Sequence, residues 1–336
     1  MSKNIENIEK LKEALGRLEN SKNTVYFLTY DTKNNPRASV KYIYDLAFIL
    51  KENGTNSKIL VEDSTYGGVS HWLGDKYKDL EVVSIKDDKI EIKIDDVLVV
   101  PEYYSNILQQ VSNIKCSKVM LVQQKDYIFE TLPVGSRWRD YGFDRVITTT
   151  EASKKYILEV FPESLVHIIP PIIEDNFCPS DKTQKPFIAI SCRDRVVHRR
   201  IISVGYEEFS TALKECFVSI WIDDESTFGT FPLESMKCGV PVIGKIPSME
   251  PDWLSENGMW TYDTSKIVEL LGTYTLAWLE GVELTNDITQ KMSETLLPYS
   301  KSLTENNILS VFNSFRNKRI ESINNALEKL KVEETV

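Results

Sequence analysis

The sequence predicts an α/β protein of two domains, each a parallel sheet with helices on both faces. Short apolar runs of strand length alternate with stretches of helical period. A segment with four prolines, HIIPPIIEDNFCPSDKTQKP (167–186), interrupts that alternation like an interdomain connection. The alternation then resumes. With 336 residues, 42% of them apolar, the chain holds enough material for two modest cores.

The N-terminal MSKNIENIEKLKEALGRL reads as an amphipathic, charged helix. It lacks the basic-then-apolar pattern of a secretory leader, and no window reaches eighteen consecutive apolar residues, so the expected location is cytoplasmic. TVYFLTY (24–30) is a strand and DTKNNPRAS (31–39) a turn-rich loop. Residues 37–53 place Val40, Ile43, Leu46, Ala47 and Leu50 at helical spacing before a glycine stop at Gly54. SKILVED (57–63), DVLVVPE (96–102), SKVMLVQQ (117–124) and DRVITTT (144–150) repeat the strand pattern, and EASKKYILEVF (151–161) is a helix after the last of them. TYGGVSHW (65–72) reads as a turn. SRWRDYGF (136–143) either stacks on a sugar or base or packs against the core. Beyond the prolines, PFIAIS (186–191), FVSIWID (217–223) and VPVIG (240–244) are strands, and PLESMKCG (232–239), 265–281 and 284–297 are helical. From Leu303 to Lys331, Ile308, Phe312, Phe315, Ile323, Leu327 and Leu330 alternate with charges in a helix that must cover either the first domain or a second copy of the chain. The expected units are 1–170, 171–300 and a terminal helix 301–336, with a homo-oligomer through the terminal helices as one outcome.

Composition narrows the chemistry. The net charge is −10, divided as −2 over 1–170 and −8 over 171–336. Neither half carries the basic excess of a protein that binds nucleic-acid backbones, which disfavours nucleic acid as the main partner. Five widely spaced cysteines form no CxxC or Cys/His pattern and are expected to be buried thiols. With only three histidines and no paired ligand motif, no metal is expected.

The stretch DESTFGTFPLESMKCGVPVIG (224–244) carries the main functional signal. Gly229 lies between a strand and a helix, where the backbone can approach a ligand and the first helical amides point outward. The dipole adds roughly half a positive charge at that end, which suits a diphosphate. Glu234, farther along the helix, is placed to accept two hydroxyl hydrogen bonds from a sugar. Taken in isolation, the same residues read better as a turn glycine and a charge that complements the helix start.

The run FGTFPLESMKCGVPVIG resembles the C-terminal signature of retaining GT-B glycosyltransferases, the large family of bacterial polysaccharide transferases and sucrose synthase relatives. YEEFSTALKECFVSIWID (206–223), RVITTTEASKKYI (145–157) and HIIPPIIEDNFCP (167–179) look like the family's flanking elements. The resemblance implies two Rossmann-like domains with parallel sheets facing a cleft, the second shortened here. It also implies an acceptor on the first domain, a nucleotide-diphosphate sugar on the second, and transfer with retention and without a metal. SCRDRVVHRR (191–200) occupies the place of the family's phosphate-binding basic residues, with Arg193 on the arginine, His198 on the lysine position and Arg199 and Arg200 adjacent. Phe228, Gly229, Thr230 and Phe231 would line the diphosphate, with Ser226 beside them. The family's two glutamates are separated by seven intervening residues, and counting back from Glu234 gives Ser226 with Glu225 one place earlier. Either Glu225 reaches in through a bulge or that sugar contact is absent. Arg37, Asp126 and Tyr127 are the acceptor-side candidates. The expected donor is UDP- or GDP-linked and the expected acceptor a glycan or lipid-linked glycan, with a modified DNA base as a minority choice. The competing reading is a non-catalytic GT-B module that binds a nucleotide or glycan, or partners another transferase. A dinucleotide-dependent dehydrogenase also fits the alternation, but no GxGxxG follows any predicted strand.

Overall fold

A computed structural model describes residues 2–20, 22–33, 35–104, 107–180, 185–192, 206–224, 228–281 and 286–334. Helix α1 (Ser2–Glu19) precedes β1 (Thr24–Leu28), α2 (Ala38–Glu52), β2 (Asn56–Val61), α3 (Ser70–Leu73), β3 (Glu81–Ser84), β4 (Val97–Pro101), α4 (Leu108–Ser112), β5 (Ser117–Val122), α5 (Tyr127–Thr131), β6 (Phe143–Thr148), α6 (Glu151–Val160) and β7 (Leu165–Ile168). There follow β8 (Lys185–Cys192), α7 (Tyr206–Lys214), β9 (Cys216–Ile222), α8 (Thr230–Lys237), β10 (Val242–Lys245), β11 (Met259–Thr261), α9 (Lys266–Leu279), α10 (Asn286–Leu296) and α11 (Lys301–Glu334).

Two sheets result, both parallel throughout. The first runs β3-β2-β1-β4-β5-β6-β7 and the second β11-β10-β9-β8. Alternation along each strand feeds two cores. On the first sheet, Val25, Phe27, Ile59, Val99, Val119 and Leu121 face α2 and α11, whereas Tyr26, Leu28, Leu60, Leu98, Val100 and Met120 face the opposite layer around Trp138, Ile157 and Phe161. SRWRDYGF therefore supplies core packing through Trp138, whose ring lies 4.7 Å from that of Phe161.

Several expectations change. The segment 167–186 does not begin as a connection, because its first residues complete β7, a four-residue edge strand; β3 and β11 are likewise short edge strands that short windows of sequence did not disclose. TYGGVSHW is not wholly a turn, since Ser70–Leu73 is helical and Trp72 and Leu73 are buried. Cys178 is exposed and Cys116 half-buried, and only Cys192, Cys216 and Cys238 are buried. The terminal helix covers this chain's own first sheet. Ile308, Phe312 and Phe315 join the core of that sheet, and Ile323 and Leu327 clamp α1.

Candidate functional site

The first sheet reverses its strand order between β1 and β4, and ligands of open parallel sheets bind beyond the carboxyl ends of the strands at such a point. The loop after β1 leads to Arg37, which is exposed and precedes α2, its carbonyl accepting from the amides of Val40 and Lys41. That loop has no glycine, and Lys33 takes the left-handed turn instead, with φ 48°. Asp126 and Tyr127 lie beyond the carboxyl end of β5, at the start of α5, with Asp126 exposed. Gln123 Nε2 donates to the Ser39 carbonyl at 3.3 Å, tying the β5 exit to the start of α2, so the three acceptor-side candidates share one edge. Glu102, which the sequence reading missed, closes β4 at this edge. It is buried and accepts from the amides of Gln123 and Gln124 at 3.0 and 2.8 Å, yet burial pushes its carboxyl up to about 7.

On the second sheet, β9 leads into α8 through Gly229, whose φ of 68° and ψ of 83° favour glycine. An added Cβ would stand 2.7 Å from Trp221 Cζ2. The turn is held from behind: Trp253 Nε1 donates to the Phe228 carbonyl at 2.6 Å, and Trp221, Trp253 and Trp260 pack together. Phe228 packs its ring edge-on to Tyr299 in the core, and Phe231 stacks on Phe209, so at these two positions the backbone is what remains for a ligand. Thr230 is the first residue of the helix and half-buried. Arg193, His198, Arg199, Glu225 and Ser226 lie outside the described residues.

Glu234 is 4% exposed, and burial drives its carboxyl up to about 7. Tyr206 Oη donates to Glu234 Oε1 at 2.5 Å, and the Lys41 charge opposes the rise. Behind this pair lies a charged cluster joining both sheets. Lys41 Nζ reaches Asp45 Oδ2 at 2.6 Å and Glu174 Oε1 at 3.4 Å, and lies 5.0 Å from the centre of the Tyr206 ring. Lys76 Nζ reaches Glu174 Oε1 at 2.6 Å, and Tyr77 donates to Asp45. Burial alone would raise the Glu174 carboxyl, but the charges of Lys41 and Lys76 outweigh it and hold the group below its usual range. Lys41 is the mirror case: burial works against its charge, and Asp45 and Glu174 more than restore it. A lysine beside Val40 and Ile43 on a buried helix was the only sequence signal for this cluster. Asp252 adds a second tie, accepting from the first amide of α6, that of Glu151, at 2.6 Å.

Among the described residues no group of His, Cys, Asp and Glu is arranged to hold a metal ion, and no helix is long and apolar enough to cross a membrane.

No family model matches the chain. In sequence it is similar to the α-1,6-glucosyltransferase of Actinobacillus pleuropneumoniae serotype 7 (strain AP76), at 23% identity over 259 residues, which is 67% of this chain and 77% of that protein. In structure it is similar to Anabaena Alr3699/HepE in complex with UDP-glucose, with a TM-score of 0.64 at 10% identity over 87% of this chain and 99% of the other. Sucrose-phosphate synthase from Thermosynechococcus elongatus gives 0.61 at 9% identity over 87% and 99%. A glycosyltransferase from Rickettsia africae ESF-5 gives 0.58 at 13% identity over 87% and 98%. The two parallel sheets are those of the GT-B fold. Sequence likeness and fold agree on the class of enzyme, a glycosyltransferase.

Proposed function

We propose that the protein moves a sugar from a nucleotide-diphosphate sugar to an acceptor hydroxyl with retention of configuration, the donor on the second sheet's unit and the acceptor on the first. The observation that carries this reading is the left-handed Gly229 start of α8 with the buried Glu234 carboxyl behind it, next to the first sheet's Lys41. A helix start fixed by three tryptophans is pre-organised for a diphosphate and needs no rearrangement as charge develops on the leaving group. Arg193 and Arg199, or His198, add cations to that group. Glu234 in its ionised form accepts hydroxyls of the donor, either through Oε2 or by displacing Tyr206. Glu225 orients the sugar. The acceptor hydroxyl attacks on the face the diphosphate leaves, with its proton passing to a phosphate oxygen. Arg37, Asp126 and Tyr127 line the acceptor side. The glucosyltransferase relative and the UDP-glucose complex of the structural neighbour favour UDP-glucose as the first donor to try, with a glycan or lipid-linked glycan as acceptor.

The Tyr206 hydroxyl already on Glu234 favours one second reading, a module that binds a nucleotide or glycan without turnover. A thermal-shift screen against UDP, GDP, ADP, CMP and their sugar conjugates separates the two when paired with turnover assays. A ligand at about a hundredfold excess over its dissociation constant adds about 2.7 kcal/mol. The proposal expects a selective shift and hydrolysis or transfer, both lost in Arg193→Ala/Arg199→Ala. Turnover that survives the double replacement would remove the arginines from the mechanism, and binding without turnover would leave the module reading.

A further inference from the structure

The opposite end of the first sheet holds a cavity of about 730 Å³, a size that suits a small ligand. Its walls come from the amino-terminal ends of β5 and β6 and from one face of α11. The acceptor-side candidates lie at the carboxyl ends of this sheet, about 20 Å away by the length of a six-residue strand. Among the described residues, Lys118, Arg145, Lys318, Arg319 and Lys329 line it together with the carboxylate of Glu321. Concentrating five cations around one space is unusual for a chain of net charge −10.

Lys118 is placed there at a cost. It is 6% exposed, and burying a charge is unfavourable unless an opposite charge or good hydrogen bonds offset it. Lys118 Nζ has a carbonyl partner at Ser112, 3.4 Å away, and Arg145 lies 5.2 Å from the centre of the Phe315 ring. Among the described residues Lys118, Lys318 and Lys329 have no ion-pair partner. The fold makes specific room for this arrangement. At Gly142 a Cβ would stand 2.9 Å from Lys118 Nζ, so the backbone approaches the ammonium closely there. On α11 the stripe Lys318, Ser322, Asn325, Lys329 recurs at helical spacing, turning a polar face toward the sheet while Ile323 and Leu327 seat the helix on α1. His167 nearby is held below its ordinary range by burial first and then by the charges of Arg145, Lys318 and Lys154.

We propose that this cavity binds a phosphate-bearing small anion of at least two negative charges, at a site separate from the transfer site. A monocarboxylate carries less charge than the three lysines call for. Their ammonium groups match the several oxygens of a phosphate ester or diphosphate, with Ser322 and Asn325 available for neutral oxygens. The buried position of Lys118 favours a small ligand that reaches in over an acidic peptide lying on the surface. The proposal does not depend on the donor assignment.

Cys116 lines the cavity and gives a site-specific readout. The experiment alkylates the full chain with N-ethylmaleimide with and without inorganic pyrophosphate and follows Cys116 by peptide mass spectrometry. Cys178, which is exposed and does not line the cavity, is the internal control. At about ten times its dissociation constant, pyrophosphate is expected to slow Cys116 labelling about tenfold and leave Cys178 unchanged. In Lys318→Glu/Lys329→Glu, two exposed positions, the protection disappears while UDP-glucose binding stays as in wild type. Should that variant misfold by circular dichroism, Lys318→Gln/Lys329→Gln makes the same comparison. Equal Cys116 labelling with and without pyrophosphate in wild type, or protection that survives the double substitution, would overturn the proposal. Failure of UDP-glucose to bind would bear on the transfer site alone.

Discussion

Replacing Glu234 with glutamine keeps a hydrogen-bond acceptor for Tyr206 but removes the titrating proton. The wild-type carboxyl moves from an ordinary 4.5 to about 7 on folding, chiefly through burial. The folded state therefore holds an extra proton between those two values. Below about pH 4.5 both states are protonated and the buried group costs nothing as a charge. As pH rises through the window toward 7, the folded protein must either keep a proton the unfolded chain has lost or bury a charge, so stability falls. At about 1.4 kcal/mol per tenfold, the full loss is roughly 3 kcal/mol, most of which falls between about pH 5 and about pH 8.5. Glu234→Gln escapes it. Glu102, also raised to about 7, contributes equally to both proteins and cancels in the difference. Urea denaturation of wild type and Glu234→Gln at both pH values measures the effect. The variant should gain roughly 2–3 kcal/mol relative to wild type on going to the higher pH. Parallel stability profiles would refute the assignment of a desolvated carboxyl at this position, whatever the absolute difference between the two proteins.

The same titration predicts that UDP-glucose, if its hydroxyls donate to ionised Glu234, binds up to about tenfold more tightly at about pH 8 than at about pH 6, as calorimetry would show. A flat profile would separate Glu234 from the donor. Gly229→Ala adds a Cβ 2.7 Å from Trp221 Cζ2 at a φ of 68°. Strain of about 1–2 kcal/mol plus displacement of a fully buried ring should cost about 3 kcal/mol and abolish donor-induced stabilisation. An unchanged melting temperature would show that the turn is not constrained as described. Lys41→Met leaves Asp45 and Glu174 with less compensation and should destabilise the chain by about 3 kcal/mol in urea. A loss below about 1 kcal/mol would mean that Lys76 alone neutralises both carboxylates.

Local patterns determined much of this protein. Alternating apolar runs and helical periods were enough for two parallel α/β layers, because each strand and helix records its own buried face in its own spacing. The Gly229 turn and the helix behind it were legible for the same reason: a left-handed residue ahead of a helix is a property of consecutive residues. The tail helix was legible as amphipathic, but whether Ile308, Phe312 and Phe315 meet their own sheet or a second copy depends on surfaces elsewhere in the chain. Edge strands of three or four residues such as β3, β7 and β11 are too short for a period to register, and pairing with a neighbour is what defines them. The tertiary structure alone brought Lys41, Glu174, Tyr206 and Glu234 together, and Lys118, Arg145, Lys318, Arg319 and Lys329 around one cavity. Each group draws on distant stretches of the chain, and its shared electrostatics arise only when folding removes the water between them.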